Sequence, residues 1–259
     1  MVLPAPIERT TPRIVLLGMG GLGCPAALAL VEEAREADLA LTLVLIDDDR
    51  VEPSNLARQI LYRAQDVGRP KVEAAVESLR SLVPGAPVEL LPIRARFDRD
   101  NAPSLLAGAT ALLDGSDNFA TRFLANDLAR AAGVPLVHGA AVGWTGNLLT
   151  VVPGRGGCLR CIFEAPPPPG TVPACAEAGV ASPLCGLVGA AMAGEALWLA
   201  GGRDAIPLAA SRLIRWNALS GSTRASEIRR DPACPACAAQ PAPASAPSAP
   251  ARSRRCPSQ

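Results

Sequence analysis

Residues 13–23 read R-I-V-L-L-G-M-G-G-L-G, and this stretch decides the fold that the sequence predicts. A short run rich in β-branched and aliphatic side chains leads into four glycines, and an Ala/Leu-rich stretch follows at 24–37. The glycines are Gly18, Gly20, Gly21 and Gly23. This order predicts a strand, a glycine turn and a helix, because a Cβ would block both the tight turn and the approach of the backbone to a phosphate. The phosphate would contact the free N–H groups at the start of the helix.

The second hydrophobic run, 41–46, ends in three aspartates, of which Asp47 is the first. Asp47 lies 24 positions after Gly23, close to where a dinucleotide-binding fold places the carboxylate that binds a ribose. These features indicate a nucleotide. They leave open whether it is a nicotinamide or flavin dinucleotide or ATP, because a glycine turn alone is a weak signal.

Strand and helix patterns alternate along the chain as far as about residue 152. They predict an α/β, Rossmann-like, doubly wound fold with a mainly parallel sheet. From residue 147 onward a further strand, a buried helix and a closing hairpin predict an added antiparallel C-terminal portion. The predicted strands are 13–17, 41–46, 88–93, 110–113, 135–138, 148–152, 211–217 and 223–228, and the main predicted helices are 24–37, 69–82, 119–132 and 183–200.

Composition limits the possible partners and the compartment. The 25 basic and 24 acidic residues give a formal net charge of +1, so we expect neither a nucleic-acid nor a membrane partner. The first residues contain no apolar core of signal-peptide length, which predicts a soluble, cytoplasmic protein. We predict a flexible N-terminus at 1–12, one domain at 13–237 and a disordered Ala/Pro-rich tail at 238–259, whose composition buries too little apolar surface to fold.

The cysteines include two pairs with the spacing of metal ligands. Because the cytoplasm keeps thiols reduced, Cys158-x-x-Cys161 and Cys234-x-x-Cys237 are interpreted as a four-cysteine zinc site rather than as disulfides. Four thiolates leave no open position for catalysis, so this zinc would be structural. The alternative interpretation is a set of idle reduced thiols.

Several polar residues after the second strand match the needs of a nucleoside triphosphate. Asn55, Arg58 and Gln59 are predicted to share one face of a helical turn, and Lys71 lies in the first turn of the next predicted helix. Hydride transfer does not require such a set, whereas phosphoryl charge must be met by fixed donors and cations. The alternative for Arg58 and Lys71 is a solvated helix face.

Asp117 is predicted to follow a strand at the ligand-binding edge of the sheet, where its carboxylate would bind magnesium. The alternative is an ordinary helix N-cap, and the two roles can coexist.

Together these motifs resemble the ThiF/MoeB/HesA family, which is related to ubiquitin-activating enzymes. The resemblance rests on G-M-G-G-L-G, D-D-D-x-V-E-P-S-N-L-A-R-Q, V-G-R-P-K, S-D-N and the C-x-x-C pairs, in that order. It implies a homodimeric adenylyltransferase that uses ATP to activate the C-terminal glycine of a small ubiquitin-like sulfur-carrier protein ending in Gly-Gly. The sulfur would come from a separate donor.

The resemblance also implies a role for each site residue. Gly18, Gly20, Gly21 and Gly23 would line the ATP turn, Asp47 would hold the ribose, Asn55, Arg58, Gln59 and Lys71 would contact phosphate and magnesium, and Asp117 would be the catalytic, magnesium-binding carboxylate. Cys175 occupies the place of a family cysteine that can bond covalently to the activated carrier, and its alternative is a partly buried small residue.

The single histidine, His138, ends a predicted buried strand and is interpreted as structural. This fits the implied reaction, since a carrier carboxylate is already ionised and needs no general base. Two alternatives to adenylation remain. One is an NAD-dependent oxidoreductase on the same glycine turn, and the other is a non-catalytic subunit that only binds a partner.

Overall fold

The structure, a computed structural model, describes residues 11–168, 171, 179–201 and 209–238. The segments predicted at 1–12 and 238–259 fall almost entirely outside these residues, and Cys175 does as well.

Within the described residues, eight strands form one sheet in the order β3-β2-β1-β4-β5-β6-β7-β8. The strands are β1 (Arg13–Leu17), β2 (Leu41–Ile46), β3 (Val88–Ile93), β4 (Ala111–Asp114), β5 (Leu136–Val142), β6 (Thr145–Val151), β7 (Arg212–Asn217) and β8 (Ser222–Glu227). Strands β1 to β5 pair in parallel, and β5 to β8 pair antiparallel. The predicted fold class, with its antiparallel C-terminal portion, is therefore confirmed.

Helices cover both faces of the sheet. They are α1 (Gly23–Glu36), α2 (Lys71–Leu82), α3 (Ala102–Leu106), α4 (Phe119–Ala131), α5 (Leu159–Ile162), α6 (Ser182–Leu199) and α7 (Pro235–Ala238). Alternate residues of β1 enter two cores: Ile14 and Leu16 pack with α1, α2 and α6, whereas Val15 and Leu17 pack with α3, α4, α5 and α7. Burial on both faces explains why β1 reads as a continuous apolar run.

Strand β5 extends four residues beyond its predicted end, and β6 begins three residues early. The added residues are small, and two glycines among them accommodate α6. A Cβ at Gly139 would lie 2.3 Å from Met192 Sδ, and one at Gly146 would lie 2.7 Å from Val188 Cγ2. Glycine and alanine favour strands weakly in isolation, so this extension depends on packing under α6.

Helix α6 is long and apolar enough, by length and composition, to cross a membrane. Half of it is buried inside the protein, where it packs against α1, β5 and β6. Its buried Glu195 accepts hydrogen bonds from Thr150 Oγ1 at 2.7 Å and from the Ala209 N–H at 3.1 Å. The apolar composition of α6 is accounted for by its place in the core.

The carboxyl ends of the parallel strands meet at one edge of the sheet. The glycine turn follows β1, three aspartates follow β2, and residues 115–118 connect β4 to α4. Strand β1 lies between β2 and β4, so the strand order reverses direction at β1. In open α/β sheets, ligands bind beside the carboxyl ends of the strands at such a reversal.

Candidate active site

The glycine turn is closed by direct backbone contact. Gly18 has φ +88°, and a Cβ there would lie 3.1 Å from the Gly115 carbonyl oxygen of the neighbouring loop. A Cβ at Gly23 would lie 1.9 Å from the carbonyl oxygen of Gly18. Side chains at both positions are therefore excluded by the turn itself, and α1 begins directly from it.

A cavity of about 430 Å³ opens beside this turn. It brings together eight of the predicted site residues: Gly18, Gly20, Gly21, Asp47, Arg58, Gln59, Lys71 and Asp117. Gly23 and Asn55 are not among the residues that line it. The cavity lies at the edge where the sequence predicted a nucleotide.

Asn55 supports the segment that follows β2. This segment is a short 3₁₀ turn, Pro53–Asn55, followed by irregular turns rather than by a regular helix. The Asn55 carbonyl accepts the N–H groups of Arg58 and Gln59 at 3.1 and 3.0 Å, and so presents both side chains to the cavity. Direct contact of Asn55 with a nucleotide remains a prediction.

Asp47 joins β2 to the glycine turn. Its Oδ2 accepts the Met19 N–H at 2.7 Å, and its Oδ1 accepts the Asp49 N–H at 2.8 Å. Burial raises the pKa of Asp47, and this effect outweighs the opposing influence of Lys71 and of the two backbone donors. Each oxygen keeps a second lone pair, so both can accept a ribose hydroxyl.

Lys71 is held among carboxylates at the start of α2. Its Nζ donates to Asp49 Oδ2 at 2.6 Å and lies 3.9 Å from Asp47 Oδ2, with 8% of the side chain exposed. Burial alone would lower the pKa of Lys71, but Asp47, Asp49 and Asp117 raise it above its usual value. A charged amine is thereby held at the cavity. The solvated helix face considered for Lys71 does not match this burial.

Asn118, rather than Asp117, caps α4. Its Oδ1 accepts the Thr121 N–H at 2.9 Å. Asp117 is exposed and lines the cavity, and its carboxylate has no hydrogen bond or ion pair to the described part of the chain. The N-cap alternative for Asp117 is thus wrong, and the carboxylate is left available to a ligand.

Residues 115–118, which connect β4 to α4, form the Asp117 loop. Three residues that the sequence analysis did not identify as site residues support it: Asp114, Arg122 and His138. Asp114 accepts hydrogen bonds from the Ser116 N–H at 3.0 Å and from His138 Nδ1 at 2.8 Å. Arg122, which is 7% exposed and lines the cavity, donates twice to the Ser116 carbonyl. The sequence did contain a signal for Asp114 and His138. Each is a polar residue at the end of an apolar run, L-L-D and L-V-H, and parallel neighbouring strands place such ends side by side.

Two buried polar atoms at the cavity wall have no hydrogen-bond partner among the described residues. They are Gln59 Oε1 and Ser116 Oγ, in side chains of residues that are 3% and 8% exposed. Because buried polar atoms are rarely left unpaired, these two indicate that a polar ligand completes the site. The exposed Asp117 oxygens, next to this cavity, are the kind of donor that magnesium prefers.

The ThiF family model matches residues 7–236. The chain belongs to the ThiF family. The SAMP-activating enzyme E1 of Haloferax volcanii is 43% identical over 225 residues, which are 86% of this chain and 79% of that protein. A sulfur carrier protein adenylyltransferase of Thermus thermophilus is 42% identical over 227 residues, which are 86% of this chain and 80% of that one.

Solved structures share the fold of this ThiF family chain. E. coli MccB, crystallised with AMPCPP and MccA, superposes with a TM-score of 0.72 and 20% identity over 87% of this chain. The ThiF chain spans 66% of the length of that MccB chain. At this identity the likeness establishes the fold alone.

In this ThiF family chain the four cysteines of the two C-x-x-C pairs lie together in one cluster. Four of the Sγ–Sγ distances are 3.9 Å (Cys158 to Cys161), 3.7 Å (Cys158 to Cys234), 3.5 Å (Cys161 to Cys237) and 3.5 Å (Cys158 to Cys237). A tetrahedral zinc with Zn–S bonds of about 2.3 Å requires edges of about 3.8 Å, whereas a disulfide requires about 2.05 Å. The donor set therefore fits a four-thiolate metal site.

Neighbouring groups orient these thiols. The Asp231 N–H donates to Cys161 Sγ at 3.4 Å, and Asn126 Nδ2 donates to Cys158 Sγ at 3.8 Å. Arg130 Nε donates to the Ala236 carbonyl at 3.1 Å, which ties the second knuckle to α4. Such outer contacts orient the ligands of a metal site.

The remaining cysteines of the ThiF chain differ in position. Cys24 is fully buried, and burial raises the pKa of its thiol to about 12, which makes it unreactive at neutral pH. Cys185 is buried in α6 and also lines the cavity. The covalent role of Cys175 concerns a residue outside the described ranges and remains a prediction.

Proposed function

We propose that this protein is an ATP-dependent adenylyltransferase that activates the C-terminal glycine carboxylate of a small ubiquitin-like sulfur-carrier protein. Membership in the ThiF family supports this function, as do relatives named for activating or adenylylating such carriers. The same family assignment argues against the oxidoreductase alternative.

One observation carries the proposal: Arg58, Lys71 and Asp117 face a single cavity beside the glycine turn. Two cations and an unpaired carboxylate are what a triphosphate and its metal ion require. A hydride-transfer site requires neither cation at this place. The turn excludes side chains at Gly18 and Gly23, and α1 begins directly from it, so the start of a helix, where phosphate can bind, lies beside the cavity.

The chemistry follows from the charges. A carrier carboxylate oxygen attacks the α-phosphorus of ATP and forms a P–O bond, while the bond between the α-phosphorus and the bridging oxygen breaks and its electron pair leaves with pyrophosphate. Arg58 and Lys71 offset the negative charge on the phosphates during this displacement. The product acyl-adenylate has a good leaving group and can accept sulfur.

Magnesium, when bound by Asp117, would supply positive charge for the departing pyrophosphate. Asp47 would orient the nucleotide through the ribose hydroxyls, as the position after β2 suggests. The unpaired Gln59 Oε1 supports a further polar contact with the nucleotide.

Zinc is the metal proposed for the cysteine cluster. The Sγ–Sγ distances of 3.5–3.9 Å and the closed set of four thiolates support a structural role. The ion would fasten α5 to α7 and so join the middle of the chain to the C-terminal end of the domain.

Three parts of the proposal come from the sequence and the family resemblance: a homodimer, a separate sulfur donor and a cytoplasmic location. Light scattering tests the first. Thiocarboxylate formation with purified candidate donors tests the second. The spacing of the four thiols, which fits a metal site rather than disulfides, supports the third.

The test is ATP–pyrophosphate exchange with magnesium, with Gly-Gly carrier proteins supplied one at a time. We expect exchange with at least one carrier, and loss of at least about a hundredfold in Asp117→Asn, which keeps the shape of the side chain and removes its charge. A carrier truncated by its last glycine is the matched substrate control. Absence of exchange with every carrier, despite measured ATP binding, would instead support a non-catalytic subunit.

A further inference from the structure

Side chains hold the central residue of the Asp117 loop from both sides. The Ser116 N–H donates to Asp114 Oδ1 at 3.0 Å. The Ser116 carbonyl accepts Arg122 Nε at 3.2 Å and Nη2 at 3.0 Å. Gly115 is fixed by its N–H to Leu17 O at 2.9 Å. The placement of Asp117 therefore depends on Asp114 and Arg122, because these side chains hold the peptide that precedes it.

Asp114 depends in turn on His138. The two residues stand opposite each other in the parallel register of β4 and β5, and His138 Nδ1 lies 2.8 Å from Asp114 Oδ2. Burial would raise the pKa of the fully buried Asp114, but hydrogen bonds from His138 and Ser116 and the charge of Arg122 hold it below its usual value. A carboxylate accepts hydrogen bonds only, so Nδ1 carries the proton.

Removal of the imidazole donor would leave one oxygen of a buried carboxylate without a partner. Such a group either takes up a proton or turns toward another donor, because an unpaired buried charge is costly. Both responses weaken the acceptor for the Ser116 N–H. The effect then reaches Asp117, one residue further along the chain.

We propose that His138 is a positioning residue for the nucleotide and magnesium site: through Asp114 it holds the loop that presents Asp117. The inference rests on the proposed function in that it takes Asp117 as the magnesium ligand. His138 itself does not line the cavity, and it acts only through Asp114 and Ser116.

Two substitutions separate the hydrogen bond from the bulk of the ring. His138→Asn places an amide nitrogen where Nδ1 stands, so it keeps a donor for Asp114. His138→Leu places a methyl group there and removes the donor. Leu149→Ala is the control for general loss of packing. Leu149 is fully buried and lies opposite His138 in the antiparallel β5–β6 pair, and its side chain has no polar atom that could bind Asp114.

The first measurement is calorimetric binding of ATP with and without magnesium. We expect magnesium to strengthen ATP binding in the wild type, in His138→Asn and in Leu149→Ala. In His138→Leu this magnesium-dependent gain should fall about tenfold or more, in line with losses of outer-shell partners at metal sites. Equal gains in His138→Leu and Leu149→Ala would overturn the inference, as would an equal loss in both His138 variants.

The second measurement is ¹⁵N NMR of the imidazole ring in the wild type and in Asp117→Asn, both without a histidine tag. The chain has one histidine, so imidazole ¹⁵N resonances report on His138 alone. We expect Nδ1 to be protonated, and we expect the resonance to move when magnesium and ATP are added, but not in Asp117→Asn. A protonated Nε2 with bare Nδ1, or a resonance unmoved by magnesium and ATP, would contradict the inference.

These readouts are separable from the proposed function. If no carrier supports pyrophosphate exchange but the magnesium-dependent gain in ATP affinity depends on the His138 donor, the proposed function fails and the positioning role stands. If exchange occurs and His138→Leu retains both exchange and the magnesium gain, the positioning role fails and the function stands. If magnesium does not affect ATP binding in the wild type, the positioning role is wrong.

Discussion

Lys71 Nζ donates a 2.6 Å hydrogen bond to Asp49 Oδ2 at the mouth of the cavity, although Asp49 is 65% exposed and Lys71 only 8%. A buried amine thus has an exposed carboxylate as its hydrogen-bonded partner. Water competes for Asp49, so an incoming phosphate can replace that carboxylate as the acceptor. The pair therefore holds the Lys71 ammonium at the wall of the cavity, where a phosphate can reach it.

Replacement of Lys71 by Met tests its role at the phosphates. We expect the pyrophosphate-exchange rate to fall by about 10²–10³, because one preorganised cation is lost from a partly buried site. Arg80→Met is the matched control, since it removes a cation from the exposed side of the same helix. Comparable losses in the two variants would show that net charge matters rather than the position of Lys71.

The pKa of Lys71 predicts a loss of stability at alkaline pH. Asp47 and Asp49 raise this pKa above its unfolded value of about 10.4, against the opposing effect of burial. The charged amine therefore adds stability that is complete below the unfolded pKa and disappears as pH rises through the higher folded pKa. Denaturant midpoints of the wild type and Lys71→Met should converge as pH rises above about 10.4. A constant difference between the two midpoints across that range would refute the assignment.

The contact between α6 and α1 gives a pair of opposite predictions. A Cβ at Gly189 would lie 2.6 Å from the Leu22 carbonyl oxygen, whereas none of the described residues lies within 4 Å of a Cβ at Gly194 in the same helix. We expect Gly189→Ala to lower the melting temperature. Gly194→Ala should raise it slightly, because alanine favours a helix by about 0.5–1 kcal/mol over glycine. Scanning calorimetry measures both, and similar shifts for the two would contradict the close approach of the helices.

Removal of one thiolate tests the metal cluster. We expect the purified wild type to contain about one zinc per chain, measured by plasma mass spectrometry, and Cys234→Ser to contain almost none. The variant should also melt at a lower temperature, since binding energy at a structural zinc site contributes to folding. Cys256→Ser is the control, because it removes a thiol that belongs to neither C-x-x-C pair. Full zinc content in Cys234→Ser would exclude the cluster as the site.

Features fixed by local sequence were predictable. The glycine turn, the three aspartates after β2 and the C-x-x-C pairs each occupy a few consecutive positions, and their chemistry follows from residue type and spacing. The choice between Asp117 and Asn118 as the cap of α4 was not local in this sense. Both side chains suit an N-cap, and only the path of the loop decided between them.

The contacts that support the Asp117 loop could not be predicted from the sequence, because they depend on how distant segments pair. Asp114 and His138 are 24 positions apart, and they meet only because β4 and β5 pair in one particular register. Arg122 turns back to Ser116 across the first turn of α4. Likewise, the extension of β5 through small residues depends on side chains of α6 that come much later in the chain, such as Met192 against Gly139.

The cysteine cluster also links metal binding to the folding of the C-terminal part of the domain. Cys158 and Cys234 are 76 positions apart, and α6, β7 and β8 lie between them. Bringing the two C-x-x-C pairs together closes a long loop that contains β7 and β8, which continue the sheet from β6. A metal ion bound by all four thiolates therefore holds that loop closed in the folded protein, and metal binding and the docking of the last strands stabilise each other.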